Sequence, residues 1–204
     1  MRLWLVRHGE TEANVAGLYS GHAPTSLTPR GIAQATALHS LLHNVPFDQV
    51  LCSALERAQH TARLVLGNRD IPLHTTPLLN EMFFGDWELR HHRDLKREDA
   101  ENYAAWCLDW QNAVPTNGEG FQDFSQRVQQ FIAGLRDWQH HDNLLIVSHQ
   151  GVISVLIATL LKMPAASLWH FRVEQGAWSA IDFYEDFATL SVLNSRAVWQ
   201  PDAG

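Results

Sequence analysis

The sequence predicts an α/β fold, a three-layer α/β/α sandwich with a mostly parallel central sheet. Two short apolar segments, residues 3–6 and 144–147, end in polar residues and glycine, as strands buried on both faces do. Segments with the spacing of amphipathic helices alternate with such strands along the chain. Because 46% of the 204 residues are hydrophobic, one sizeable core can form, and we expect a single domain over residues 1–204.

The first half of the chain is predicted to alternate strands and helices. Thr28 can cap a helix with its hydroxyl group, and Pro29 suits the first helical position. The apolar spacing from Ile32 to Leu42 then predicts a helix with one buried face. The next predicted elements are a strand at 47–52, a helix at about 55–66 that Gly67 can end, and a strand at 71–74.

The second half is predicted to be largely helical before its last strands. The predicted elements are an aperiodic segment at 76–88, a helix at 90–112, a loop at 115–120, an amphipathic helix at 121–138, the strand at 144–147, a helix at about 152–161, and two final strands at 177–183 and 188–193. The final strands form a hairpin or one edge of the sheet. We expect Trp106 and Trp110 to pack in the core or a lid, with an aromatic wall for a flat substrate as the alternative.

The composition excludes several classes of function. A net charge of −7 disfavours nonspecific binding to nucleic acid, although local arginines could still hold an anionic substrate. Two cysteines give no disulfide framework, and the sequence shows neither a signal-peptide core nor a run of about 18 apolar residues. We therefore expect a cytoplasmic protein that binds neither nucleic acid nor a membrane.

Two strands of the predicted sheet end in similar motifs. The first motif, at residues 3–10, reads LWLVRHGE, and the second, at residues 144–151, reads LLIVSHQG. Because parallel strands leave a sheet at the same edge, we expect His8 and His149 to lie close together there, where α/β sheets bind ligands. The free N–H groups of the segments that follow could help to hold an anion.

The positively charged residues at this edge predict chemistry at a phosphate group. Arg7 precedes His8 directly, and the segment SALERAQHTA (53–62) places Arg57 in the first turn of the helix after the second strand. The guanidinium fork suits phosphate oxygens. Nearby arginines also favour the neutral form of an imidazole, which can attack phosphorus and form a covalent intermediate.

Such a reaction also needs an acid to protonate the leaving alkoxide. Glu81 is the candidate, because the aromatic residues of NEMFFGDWE (80–88) would give it apolar surroundings that favour a protonated carboxyl group. The sequence leaves three competing carboxylates open: Glu10, Asp86 and Glu88.

Four segments together resemble, in chain order, the motifs of a known family. They are LVRHGETEAN (5–14), SALERAQHTA (53–62), NEMFFGDWE (80–88) and VSHQG (147–151). The resemblance is to the histidine phosphatase superfamily, whose members share the phosphoglycerate-mutase-like fold. It implies a phosphomonoesterase that acts on a small-molecule phosphate ester without a metal or an organic cofactor.

The resemblance also implies a role for individual residues. His8 would accept the phosphoryl group, and Glu81 would donate a proton and later act as the base. The residues that would bind phosphoryl oxygens are Arg7, Arg57 and His149, with Asn14 and the main-chain N–H of Gln150 as further contacts. His22, in the loop after the first motif, is a further candidate for the pocket lining.

Three segments favour one branch of the superfamily. LYSGHAP (18–24), NEMFFGDWE (80–88) and PTNGEGF (115–121) resemble the branch that hydrolyses α-ribazole 5′-phosphate in the nucleotide-loop part of cobalamin synthesis. The mutases of the superfamily carry a basic, proline-rich segment after the acidic loop, where this chain has a compact helix of mixed charge. The alternatives are a broad-specificity phosphatase, a phosphoglycerate mutase and a non-catalytic domain that binds a phosphorylated ligand.

Overall fold

Six strands form a single mixed sheet in the computed structural model, which describes residues 1–185 and 187–201. The strand order is β3-β2-β4-β1-β5-β6. The four parallel strands are β1 (Arg2–Arg7), β2 (Gln49–Ser53), β3 (Leu73–Thr76) and β4 (Asn143–Ser148). The two antiparallel strands, β5 (Trp178–Tyr184) and β6 (Phe187–Ser195), form a hairpin at the edge beyond β1.

Helices lie between successive strands of the sheet from β1 to β5. They are α1 (Glu12–Val15), α2 (Pro29–Leu41), α3 (Glu56–Leu66), α4 (His92–Glu98), α5 (Ala100–Leu108), α6 (Phe121–Gly134) and α7 (Gln150–Leu160). Short 3₁₀ turns cover Pro77–Leu79, Gly85–Trp87, Leu135–Trp138 and Ala165–His170. As predicted, Thr28 caps α2 by accepting the N–H of Gly31, and Gly67 ends α3 with a positive φ of 59°. No helix in the described part of the chain is long and apolar enough to cross a bilayer.

The central strands of the sheet are buried on both faces because their alternate residues enter two different cores. Leu3 and Leu5 of β1 pack with α6 and α7, whereas Trp4 and Val6 pack with α2 and α3. All four side chains are fully buried, and each such burial stabilises the fold by about 1.5–3 kcal/mol. The predicted three-layer α/β sandwich with a mostly parallel sheet is therefore confirmed.

The register of the parallel strands brings their carboxyl ends together. Arg7, the last residue of β1, lies opposite Ser148, the last residue of β4. Cys52 of β2 lies opposite Val147, one residue earlier on β4. The residues that follow these strands, including His8 and His149, therefore leave the sheet at one edge.

The predicted helix at 90 to about 112 is wrong in two respects, because two helices, α4 and α5, occupy this segment and α5 ends at Leu108. The chain breaks at Asp99, whose φ of −136° and ψ of 48° are not helical. The Asp99 carboxylate accepts hydrogen bonds from the Trp87 indole N–H and the Thr116 hydroxyl group. These partners lie outside the segment, so its own periodicity carries no sign of the break.

The two tryptophans of this segment pack against other aromatic rings. Trp106 contacts Trp87 edge-on, with ring centroids 5.8 Å apart. Trp110 contacts Phe121 at the start of α6, with ring centroids 4.7 Å apart. Both are half-buried against the core beneath α6 and α7, as the packing interpretation predicts.

Candidate active site

His8 lies at the first position beyond β1, where its main-chain N–H donates to Ser148 O at 2.9 Å. The side chain is 5% exposed, and Nδ1 lies 2.7 Å from Gly9 O. A carbonyl oxygen can only accept, so Nδ1 carries the proton and Nε2 keeps a free lone pair. Burial, followed by the charges of Arg57 and Arg7, lowers the pKa of His8 to about 3. The ring is therefore a neutral nucleophile at neutral pH.

Glycine is required after His8 because two backbone segments meet there. A Cβ atom on Gly9 would lie 2.4 Å from Gly31 O, at the start of α2. The Gly9 N–H donates to the Thr61 hydroxyl group on α3 at 3.0 Å. The glycine thus lets the loop after β1 pack tightly between two helices, which fixes the direction in which His8 leaves the strand.

His149, the residue before α7, faces His8 across the edge of the sheet. The two ring centroids are 5.1 Å apart. His149 is fully buried, and its Nε2 lies 2.8 Å from the Ser53 hydroxyl oxygen at the end of β2. Burial, followed by the charges of Arg57 and His8, lowers the pKa of His149 well below its ordinary value.

Two arginines flank the histidine pair and leave donors free. Arg57 donates to Gly21 O at 2.6 Å, and Arg7 donates to Val173 O at 3.0 Å. Their Nε atoms and His149 Nδ1 are buried, and none has a hydrogen-bond partner among the described residues. A buried polar group without a partner costs about 1–3 kcal/mol, so three of them around one ring mark a site for an oxyanion.

Glu81 brings a carboxylate to the same site. Its two oxygens accept the N–H groups of Met82 and Gly151, each at 3.0 Å. The second contact holds the carboxylate at the start of α7, two residues from His149. The expected apolar surroundings are wrong in part, because main-chain N–H groups hold the carboxylate and Phe83 is 36% exposed against the His22 ring.

The competing carboxylates have other partners. Glu88 accepts four main-chain N–H groups, from Gly21, His22, Ala23 and Phe84, at 2.8–3.1 Å. Asp86 accepts the Asn117 amide at 2.8 Å, and Glu10 accepts the Thr28 hydroxyl group at 2.8 Å. Each of these three carboxylates holds a loop or a helix start, and so does Glu81. Glu81 stays the candidate acid because its charge acts on both Arg7 and Arg57.

The three predicted substrate-binding residues have different surroundings. Asn14 Oδ1 accepts the Thr11 N–H at 3.1 Å and the Gln175 amide at 2.9 Å, so only the Asn14 amide nitrogen is left to contact a ligand. His22 Nε2 donates to Glu81 O at 2.9 Å, which places His22 beside the loop that carries the acid.

The Gln150 side chain is occupied by structural contacts. Its oxygen accepts Arg7 at 3.3 Å and the Val173 N–H at 3.0 Å, while its nitrogen donates to Ser154 Oγ and Phe171 O. The contact predicted for Gln150 was from the main chain, and this prediction is compatible with its place as the first residue of α7.

Arg127 holds the loop that carries Glu81, a role that was not predicted from the sequence. Arg127 of α6 pairs with Glu119 at 2.8 Å and donates to the carbonyl oxygens of Asn80 at 2.8 Å and Glu81 at 3.3 Å. A lone arginine on an amphipathic helix is typical of a solvated face, so no signal in the sequence indicated this role. No role was predicted for Ser53 or Asn80 either, although Ser53 is the first residue of SALERAQHTA and Asn80 the first of NEMFFGDWE.

The histidine pairs at 91–92 and 140–141 have adjacent rings, with centroids 4.1 Å and 3.9 Å apart. In residues 1–185 and 187–201, however, no three His, Cys, Asp or Glu side chains group closely enough to hold a metal ion.

The family profile of the histidine phosphatase superfamily (branch 1) matches residues 3–196. The chain belongs to this superfamily. It is 75% identical over 202 residues to the adenosylcobalamin/alpha-ribazole phosphatase of Salmonella typhimurium, covering 99% of this chain and 100% of that protein. It is 71% identical over 198 residues to the protein of the same name from Escherichia coli, covering 97% and 98% of the two chains.

The fold is shared with a solved relative. The crystal structure of the alpha-ribazole phosphatase from Shigella flexneri superimposes with a TM-score of 0.98 at 71% identity, covering 99% of this chain and 100% of that one. The superfamily and the phosphatase class predicted from the four motifs are therefore confirmed. The roles of the individual site residues stay predictions, which the geometry makes specific enough to test.

Proposed function

We propose that this chain hydrolyses α-ribazole 5′-phosphate to α-ribazole and inorganic phosphate through a phosphohistidine on His8. The observation that carries the reaction type is the neutral His8 ring beside buried polar atoms that have no partner in the described part of the chain, which are the donors Arg7 Nε and Arg57 Nε and the ring nitrogen His149 Nδ1. An entering phosphoryl group would accept from both guanidinium groups, and from His149 Nδ1 once that nitrogen carries a proton. A site of this kind fits an enzyme better than a binding domain, because binding alone needs neither a nucleophile nor an acid.

The first step transfers the phosphoryl group to the protein. His8 Nε2 attacks phosphorus and forms an N–P bond, while the bond from phosphorus to the ribose 5′-oxygen breaks. Glu81 gives its proton to that oxygen, so the sugar leaves as a neutral alcohol. Arg7, Arg57 and His149 hold the equatorial oxygens, where the transition state spreads its negative charge.

The second step regenerates the free protein. The Glu81 carboxylate accepts a proton from a water molecule, whose oxygen attacks phosphorus as the N–P bond to His8 breaks. Inorganic phosphate then leaves, and both His8 and Glu81 return to their starting protonation states. The contacts of Glu81 with Met82 and Gly151 keep the carboxylate in one place through both steps.

Three observations support the choice of substrate. The relatives at 71–75% identity carry the name adenosylcobalamin/alpha-ribazole phosphatase. The segments at 18–24, 80–88 and 115–121 resemble the same branch. An open cavity of about 620 Å³ is lined by Arg57 and by both polar and apolar residues. Its apolar part, which suits a flat aromatic base, includes Ala13, Leu18, Pro24, Leu27 and Leu89, and its polar part includes Glu12, Glu56 and His60.

Rapid quenching tests the intermediate. Substrate labelled in the phosphate should leave an acid-labile, base-stable label on the protein, and peptide mapping should place that label on His8. Label on His149, or full activity in His8→Ala, would contradict the assignment.

A substrate panel tests the specificity. We expect kcat/KM for α-ribazole 5′-phosphate to exceed the values for simple sugar phosphates and for nitrophenyl phosphate. Similar values across the panel would favour a broad-specificity phosphatase, and conversion of 3-phosphoglycerate in a coupled assay would favour a mutase. Activity should survive exhaustive chelation, and loss of activity restored by one divalent ion would contradict the proposed mechanism.

The compartment proposed for this enzyme is the reducing cytoplasm. Cys52, buried in β2, and Cys107, exposed on α5, are both free.

A further inference from the structure

A chain of hydrogen bonds runs from His149 away from the catalytic pocket. His149 Nε2 lies 2.8 Å from Ser53 Oγ, which lies 2.9 Å from Asn80 Oδ1. Asn80 Oδ1 also lies 2.9 Å from the Ala54 main-chain nitrogen. Ser53 and Asn80 are buried, so water does not compete for these contacts.

The direction of each hydrogen bond follows from the number of protons available. The Ala54 N–H can only donate, so the side-chain atom of Asn80 that it meets is an oxygen. That oxygen can only accept, so the single hydroxyl proton of Ser53 points toward Asn80. Ser53 Oγ therefore offers only lone pairs to His149 Nε2, and Nε2 must carry the imidazole proton.

The other nitrogen of the ring is left with a lone pair. In the neutral ring His149 Nδ1 has no proton, and it is buried without a partner in the part of the chain that the structure describes. A bare lone pair repels a phosphoryl oxygen, so Nδ1 can bind that oxygen only after it gains a proton.

We propose that Ser53 and Asn80 are positioning residues that hold His149 as the Nε2–H tautomer, so that Nδ1 gains a proton when a phosphoryl ligand binds. This inference rests on the proposed function, since it takes the pocket as a phosphoryl site. The proton comes from solvent when the ligand is a dianion and from the ligand itself when it is a monoanion. It returns to solvent or to the product when inorganic phosphate leaves, and only N–H and O–H bonds change.

The charges around His149 explain why the proton arrives with the ligand. Burial is the main cause that lowers the pKa of His149, and Arg57, His8, Arg7 and His22 add to it by acting against a positive charge on the ring. Glu81, which accepts the Gly151 N–H, brings a carboxylate to the start of α7, two residues from His149. A dianion beside Nδ1 would offset the arginine charges and make the imidazolium stable.

Nuclear magnetic resonance of the full chain with ¹⁵N-labelled histidine tests the tautomer directly. In the free protein we expect a proton on His149 Nε2 and none on Nδ1, and the opposite tautomer at His8. Sulfate is a suitable probe, because it stays a dianion near neutral pH and is not hydrolysed. Saturation with sulfate should protonate His149 Nδ1. A proton on Nδ1 in the free protein, or an unprotonated Nδ1 with sulfate bound, would overturn the proposal.

Calorimetry of sulfate binding in two buffers of different ionisation heat measures the proton taken up. For the native chain we expect uptake of about one proton near pH 7.5, with a Kd that rises about tenfold per pH unit. His8→Ala should keep this uptake and His149→Asn should lose it. The reverse result would assign the proton to His8 and overturn the proposal.

Asn80→Ala tests whether Asn80 fixes the tautomer of His149 or only fills space in the core. Without its acceptor, the Ser53 hydroxyl group can donate to His149 Nε2, which allows the Nδ1–H tautomer to bind sulfate without a further proton. Uptake should fall toward zero and the dependence of Kd on pH should flatten. Ser125→Ala, which removes a buried hydroxyl group from α6, should retain the uptake. Unchanged uptake in a folded Asn80→Ala protein would overturn the proposal, whereas failure to turn over α-ribazole 5′-phosphate would leave these sulfate results unaffected.

Discussion

His8 and His149 follow neighbouring parallel strands in similar motifs, yet they are held by opposite nitrogens. His8 donates from Nδ1 to the carbonyl oxygen of the next residue, which leaves Nε2 with the lone pair. His149 bonds through Nε2 to Ser53, which is 96 residues away in the chain, and leaves Nδ1 with the lone pair. The strand motif thus sets where each ring lies, and the hydrogen-bond partner sets which nitrogen does the chemistry.

The largest expected effect separates the two histidines by role. His8→Ala should lower kcat by roughly 10⁴–10⁶-fold and abolish the phosphoryl-enzyme, because it removes the nucleophile. His149→Ala should lower kcat by about 10²–10³-fold and still form the intermediate, because it removes one of several donors to the phosphoryl oxygens. Rapid quenching and steady-state kinetics measure both effects.

Equal losses of kcat in His8→Ala and His149→Ala would contradict the different roles predicted for the two histidines. A phosphoryl-enzyme that persists in His8→Ala would show that the two strand ends have exchanged roles. Thermal unfolding of both variants serves as the control for folding, since both rings are buried.

The next effect concerns the acid beside the second histidine. Glu81→Gln keeps the shape of the side chain but cannot donate an acidic proton. A ribose 5′-oxygen is a poor leaving group, so we expect its phosphate ester to lose about 10²–10⁴-fold in rate, or roughly 3–5 kcal/mol. Nitrophenolate leaves without help, so nitrophenyl phosphate should lose much less.

Comparison of the two substrates in one variant tests this assignment without a separate folding control. The losses of rate on the two substrates should become more similar if water activation by Glu81 limits both reactions. Near-native rates on both substrates would exclude Glu81 and return the search to Glu10, Asp86 or Glu88.

The positions of the two histidines could be predicted from the sequence, whereas their tautomers could not. Buried apolar runs identify β1 and β4, and the rule that parallel strands end at one edge then brings His8 and His149 together. The partner of His8 is its own neighbour in the chain. His149 bonds to Ser53 of β2, and Ser53 in turn donates to Asn80 in the loop after β3, so only the folded register of the sheet reveals these contacts.

The contrast between predictable positions and unpredictable hydrogen-bond partners also holds for the carboxylates of residues 80–88 and for the break between α4 and α5. Sequence spacing puts Glu81 and Glu88 in one aromatic loop, and it cannot say which of them meets four main-chain N–H groups. The break at Asp99 also depends on distant partners, Trp87 and Thr116. Periodicity reports which face of an element is buried, and it carries no information on hydrogen bonds made between elements.

Glu88→Gln extends the comparison from the catalytic groups to the loop around them. An amide has one oxygen for the four N–H groups that the carboxylate accepts, and it lacks the charge. We expect the free energy of unfolding in urea to fall by about 1–3 kcal/mol. KM should rise more than kcat falls, because Gly21 O in this loop also holds Arg57.

Glu101→Gln, on the exposed side of α5, is the matched control for loss of a carboxylate charge. It should leave unfolding and kinetics close to native. A Glu88→Gln protein that behaves like this control would show that the loop does not depend on the four N–H groups that the Glu88 carboxylate accepts.

The smallest expected effect is a change in how steeply the free energy of unfolding depends on pH. It tests whether the rings of His8 and His149 are neutral in the folded protein. Unfolded histidine binds a proton near pH 6.5, whereas folded His8 binds one only near pH 3. Between these values the unfolded chain holds more protons, so acid favours unfolding by at most about 1.4 kcal/mol per pH unit for each such ring.

His8→Asn and His149→Asn should each flatten the dependence of the unfolding free energy on pH from 6.5 to 5. Leu156→Ala, which opens a cavity in α7 without removing a proton site, should lower that energy by about 2–5 kcal/mol and keep the native slope. Because slopes rather than absolute energies are compared, lost packing in the histidine variants cancels. A native slope in His8→Asn would mean that His8 already carries a proton in the folded protein and cannot be the neutral nucleophile.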